Sequence, residues 1–305
     1  MEEQANLLLQ HAGSLIKDAL KVSLDEIGNI SILKRGMTNH SFLFTCKEKR
    51  YIMRVPGEGT ERLINRKQEY EVYQKIAPLN ICDPVVYMDP ESGYKITEYL
   101  ENARVCDAGD RKDVSICMQR LRSFHELKLQ VSHSFDIFKQ IEFYESLWEK
   151  ESQFEDYVLT KSNVFELKDY IERQEKQWVL AHIDAVPDNF LFVPGEETEG
   201  LRLIDWEYAG MQDACVDIAM FAIYAMYGRE EIEYLIDAYY TEGCTRQTRL
   251  KIYCYIASCG LLWSNWCEYK HQLGIGFGEY SLQQYQYAKE YYEVFRTERG
   301  NYGQQ

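Results

Sequence analysis

Apolar and polar positions change their period along this chain, and the changes divide it. Leu8, Leu9, Ala12, Leu15, Ile16, Ala19 and Leu20 recur at helical spacing and predict an appended N-terminal helix within residues 1–29. The period then shortens to that of strands over Ile30–Leu33, Ser41–Thr45 and Tyr51–Val55, with polar turns at 35–40 and 47–50. Leu63, Ile64, Tyr70, Tyr73 and Ile76 predict a helix over Glu61–Ala77, and a second hairpin, Pro84–Met88 with Tyr94–Glu98, closes around Asp89-Pro-Glu-Ser-Gly93. From residue 110 onward helical periods dominate: 110–128, 136–150, 163–177, 214–228, 230–242, 246–269 and 279–296. Among them stand an apolar run, Trp178–Ala181, and a predicted strand pair, Asn189–Val193 and Leu201–Asp205, joined by the polar turn Pro194–Gly200. The pattern is α+β. A small antiparallel-sheet lobe over 1–98 precedes a larger, mostly helical lobe over 99–305, with no repeat and no Pro/Gly/Ser linker between them.

Candidate chemistry concentrates where the helical pattern is interrupted. His182, Asp184 and Asn189 stand in an H-x-D-x-x-x-x-N spacing, Pro187 forces a bend between Asp184 and Asn189, and Asp205 opens an Asp-Trp-Glu-Tyr run. Transfer of a phosphoryl group needs a carboxylate beside the acceptor hydroxyl and oxygen ligands for Mg²⁺ on the phosphates. Asp184 suits the first role, Asn189 and Asp205 the second, because the strand pair brings the last two to one end. The bland alternative is a set of polar residues capping a turn. In the first lobe the turn Gly36, Met37, Thr38, Asn39 can cover phosphates, glycine allowing close backbone approach, or can be an ordinary hairpin turn.

Residues 182–210 resemble the catalytic segment of the aminoglycoside phosphotransferase and choline kinase superfamily, relatives of the eukaryotic-like protein kinases. The Gly-x-Thr-Asn turn and the Asp-Trp-Glu-Tyr-Ala-Gly run resemble choline/ethanolamine kinases of bacterial type. The resemblance implies a bilobal protein-kinase-like fold, with ATP and Mg²⁺ as co-substrate and cofactor. It makes Asp184 the base, Asn189 and Asp205 the metal ligands, and Gly36, Thr38 and Asn39 the phosphate-covering turn. Arg54 takes the place of the usual phosphate-binding lysine, a departure that choline kinases share, and Glu69 is expected to orient it, with Glu71 as the rival. The backbone of Glu98 to Leu100 becomes the hinge that reads adenine, and Asp217 an aspartate that ties the catalytic loop in place. Ile183 departs from the Gly or Arg that family members often carry there.

The acceptor is the harder question. At 100° per residue Ile252, Ile256, Cys259, Trp263 and Trp266 fall within a stripe of roughly 80°, which is either core or an aromatic wall. Trp263-x-x-Trp266 resembles paired tryptophans on a late helix of choline kinases, which implies π faces for a trimethylammonium, joined by Tyr208 and backed by Glu207. Tyr224, Tyr227 and Tyr269 are further candidate walls that the sequence does not separate from core tyrosines. Choline is the expected acceptor. An ethanolamine or aminoglycoside kinase, or a non-catalytic sensor of choline or nucleotide on the same fold, are the alternatives.

Composition trims the remaining classes. A net charge of −15 disfavours nucleic acid and suits a cationic partner, although it also suits plain solubility. No long apolar run and no leader-like N-terminus is present, so a cytoplasmic protein without a membrane span is expected. The nine cysteines contain no C-x-x-C pair and read as reduced thiols, leaving a hard cation as the expected metal. Oligomeric state has no signature.

Overall fold

The first strands form because β-branched and aromatic residues alternate with polar ones between short turns. In the computed structural model, which describes residues 12–35, 39–57, 60–195 and 200–300, they are β1 (Ile27–Arg35), β2 (Asn39–Cys46) and β3 (Lys49–Pro56). With β4 (Val85–Met88) and β5 (Lys95–Glu98) they make one antiparallel sheet in the order β1-β2-β3-β5-β4. Helix α1, at residues 12–20, is the described part of the predicted N-terminal helix; the residues before it lie outside the described ones. Its Ala12 and Ile16, one turn apart, pack on Phe42, Phe44, Met53 and Ile96 of the sheet.

Helix α2 (Arg66–Ile76) starts later than the apolar spacing predicts. The Asn65 side chain accepts from the Lys67 and Gln68 amides, both at 3.2 Å, and this N-cap stops the helix from extending back to Glu61. These elements belong to a unit comprising Met1–Arg104 and Leu191–Tyr208. The strands that follow the catalytic loop, β8 (Phe190–Phe192) and β9 (Leu201–Leu203), join β6 (Arg104–Val105) in a separate three-stranded sheet of order β6-β8-β9.

The second unit, Val105–Phe190 and Ala209–Gln305, is helical. It holds α3 (Arg111–Glu126), α4 (Ile137–Ser146), α5 (Tyr157–Arg173), α6 (Cys215–Tyr224), α7 (Arg229–Tyr239), α8 (Arg246–Gln272) and α9 (Glu279–Gly300). Only α5 is displaced from its predicted span, because its buried stripe of Tyr157, Thr160, Val164, Leu167 and Ile171 begins earlier and Gln174 is already extended. Helix α8 is central and packs against α4, α5, α6 and α9. Its Gly260 is required by the crossing, since a Cβ there would lie 2.7 Å from the Gln284 carbonyl of α9. No described helix is long and apolar enough to cross a membrane.

Candidate active site

In the first unit the site is built around Arg54, whose strand places it in a nearly closed interior. A guanidinium in such a place must be paired. Arg54 forms a two-pronged bond to Glu69 of α2 at 2.5 and 2.8 Å, and donates to the Gly93 carbonyl at 3.2 Å. Glu69, not Glu71, is therefore its partner. Burial pushes the Glu69 carboxyl upward, but Arg54, Lys95 and Arg66 outweigh it and hold the group at about 2. Because the folded value lies below the ordinary 4.5, the pair contributes about 3 kcal/mol that is complete above pH 4.5 and lost as pH falls toward 2. Glu69→Gln should accordingly be destabilised at neutral pH by an amount that shrinks between pH 4.5 and 3, as read by urea melts of both proteins; a pH-independent difference would deny the linkage.

Asp205 follows a short strand, β9 (Leu201–Leu203), in a turn pinned by Trp206. The Trp206 indole is fully buried and donates to the Leu203 carbonyl at 2.6 Å, while the Leu203 amide donates to Ile81. Asp205 takes a left-handed φ of +67°, and its side chain remains 39% exposed. Partial loss of hydration and then the Glu207 carboxylate push its carboxyl upward, against the pull of Arg54 and Lys95. The Arg54 guanidinium lies 3.9 Å away.

One expectation changes here. Glu207 is expected behind an ammonium, but it is buried against two guanidiniums and an amide: Arg66 donates to it at 3.0 Å, Asn39 at 2.8 Å, and Arg54 lies 3.8 Å off. Its charge is already neutralised on the first unit's own side chains. Gly36 and Thr38 lie outside the described residues, whereas Asn39 opens β2 with its side chain in this cluster. At the expected hinge the Glu98 amide donates to Pro84 and the Tyr99 amide to Arg50.

In the second unit, β7 (Trp178–Ala181) pairs with β10 (Gly210–Asp213), a strand the sequence did not announce because four residues with one glycine carry no alternation. The chain then turns sharply. Ile183 sits at φ +69°, a costly conformation for a β-branched residue. Asp217 holds it there: its carboxylate accepts from the His182 amide at 2.8 Å and the Ile183 amide at 2.7 Å. The same carboxylate lies 3.0 Å from His125 Nε2, and His125 Nδ1 lies 2.8 Å from the Tyr239 hydroxyl. A carboxylate only accepts, so Nε2 carries the proton. His125, His182 and Asp217 are all fully buried. Pro187 begins a short 3-10 turn ending at Asn189, whose amide donates to the Asp184 carbonyl at 2.8 Å and to its carboxylate at 3.2 Å.

The aromatic side of this unit departs from the predicted pair. Trp266 is 3% exposed, with its ring 5.1 Å from Phe277 and edge-on to Trp263, and the Lys270 ammonium lies 5.5 Å from its centroid. It belongs to the interior. Trp263 is half-buried, and its indole meets Met220, one turn before Tyr224 on α6. Tyr224 packs edge-on to Tyr280 at 5.9 Å and donates to Asp188 at 3.0 Å. Burial raises both phenols, with further upward pressure on Tyr224 from Asp188 and then Asp184, and on Tyr280 from Cys267 and then Asp184. Tyr280 is the second residue of α9 and falls inside its predicted span; the sequence does not single it out because nothing in the helical period separates it from the other tyrosines of that helix. Tyr208 ends the first unit and is half-buried.

The model of the choline/ethanolamine kinase family matches residues 30–258, and the chain belongs to that family. Its fold is the α+β, protein-kinase-like one. A crystal structure of choline kinase LicA from Streptococcus pneumoniae is 30% identical, with 93% of this chain and 99% of that one aligned at a TM-score of 0.79. A crystal structure of LicA in complex with AMP is 29% identical, covering 96% and 99% of the two chains at the same TM-score of 0.79. Protein LicA of Haemophilus influenzae strain Rd is 29% identical over 81% of this chain and 95% of its own length.

Proposed function

We propose that this protein transfers the γ-phosphoryl group of ATP to the hydroxyl of choline, giving phosphocholine and ADP. The observation that carries the acceptor is the edge-on pair of Tyr224 and Tyr280, with Tyr224 bonded to Asp188 of the Asp184–Asn189 loop and Met220, one turn before it on α6, meeting the half-buried Trp263. A quaternary ammonium has no N–H to donate, so π faces such as these suit it while its hydroxyl meets a carboxylate. The nucleotide is supported by the family and by the AMP complex of a relative.

In this reading Asp184 accepts the hydrogen bond of the choline hydroxyl and takes its proton as the new O–P bond forms and the bond to ADP breaks. Arg54, oriented by Glu69, faces the phosphates, and the Glu98 carbonyl and Leu100 amide hold the adenine edge. Asn189 and Asp205 are the ligands of Mg²⁺. The donor set fits, since both side chains offer hard oxygen, the donor type that Mg²⁺ takes. Mg²⁺, when bound, neutralises charge on the phosphates.

The test is ADP release with Mg-ATP against choline, ethanolamine and kanamycin. Choline should be the preferred acceptor, and Tyr280→Leu should raise its KM about tenfold, the scale of one cation–π contact, while leaving the KM for ATP unchanged. Preference for ethanolamine or kanamycin would refute the aromatic site, and the absence of any turnover would leave a sensor.

A further inference from the structure

Arg66 opens α2 and has no part in the roles assigned so far. Its guanidinium donates to Glu69 at 2.9 Å and Glu207 at 3.0 Å through one nitrogen, and to the Asn39 carbonyl oxygen at 3.0 Å through the other. The Asn39 amide in turn donates to the same Glu207 oxygen at 2.8 Å. One side chain thus joins the first residue of β2, the helix that carries Glu69, and the position two beyond Asp205. The backbone is shaped for it: Gly93 lies at φ +73°, and a Cβ there would come within 2.6 Å of the Arg66 stem.

The geometry points to Arg66 as a positioning residue for nucleotide binding, keeping Glu207 and Asn39 together so that Arg54 stays available beside Asp205. Two carboxylates, Glu69 and Glu207, are buried in one place, and each needs a cation. The Arg54 fork is already committed to Glu69, with one nitrogen 3.9 Å from Asp205 and 3.8 Å from Glu207. If Arg66 were lost, Glu207 would have to draw on Arg54, turning it away from Asp205. Lysine would restore the charge but cannot bridge three groups, because its ammonium is a single point.

The proposal rests on the kinase reading above; the nucleotide-binding arm of its test does not need the acceptor. Calorimetric binding of Mg-ADP should weaken about tenfold in Arg66→Gln, the fold-change of one charge-assisted hydrogen bond. Arg66→Lys should recover only part of that, and the KM for choline should stay within about twofold. Unchanged Mg-ADP affinity in Arg66→Gln, or equal losses for nucleotide and choline, would overturn the assignment. Should Arg66→Gln not fold, Arg66→Lys and Asn39→Ala are compared singly and together: losses that simply add overturn it, and a shared loss supports it. Wild-type protein that binds Mg-ADP yet turns over no choline would sink the acceptor reading alone.

Discussion

Asp184→Asn should lower kcat by about 10²–10⁴, the range of a positioned general base, with Mg-ATP affinity and melting temperature close to wild type. The substitution is mild structurally. Asn189 donates to the Asp184 carboxylate at 3.2 Å and to its backbone carbonyl at 2.8 Å, and an asparagine oxygen accepts the first bond while the second is untouched. What disappears is the capacity to take a proton. Single-turnover phosphoryl transfer together with a nucleotide titration separates the two effects; near-normal turnover would remove Asp184 from the base role, and a parallel loss of nucleotide binding would mean that the loop had moved.

Asp217→Asn should differ, removing stability and turnover together because Asp217 is fully buried. Its carboxylate accepts from the His182 amide, the Ile183 amide and His125. An asparagine has one accepting oxygen, so its NH2 must face a donor, and a broken buried pair of this kind costs about 3–5 kcal/mol. The loss falls where Ile183 is held at φ +69°, so the restraint that keeps Asp184 in place goes with it. A thermal melt beside the kcat measurement distinguishes the two variants. Asp217→Asn with a wild-type melting temperature would show that the loop conformation is held by other contacts.

Much of the fold was legible because its signals are local. The alternation in β1 to β3 and in the β4–β5 hairpin, and the helical stripes from Arg111 onward, require nothing but neighbours in sequence. The Arg54–Glu69 pair was legible through family resemblance, and burial explains why it must be bidentate. The tryptophan stripe on α8 was ambiguous for a physical reason: that helix is buried over most of its circumference, so periodicity marks no single face. Trp263 and Trp266 have equivalent signatures in sequence and different environments in the fold.

The sequence by itself determined the order of the first five strands and of the helices, the spacing that sets Asp184 against Asn189, and the family. These depend on period, turn chemistry and short-range motif geometry. Tertiary structure alone decided which charges meet. Glu207 is two residues from Asp205, yet its partners are Arg66 and Asn39, and the amides of the Ile183 turn are held by a carboxylate on α6 that is itself backed by His125 of α3. A buried charge takes whichever opposite charge or donor the packing brings within about 3 Å, because leaving it unpaired costs several kcal/mol, and distance along the chain has no say in that choice.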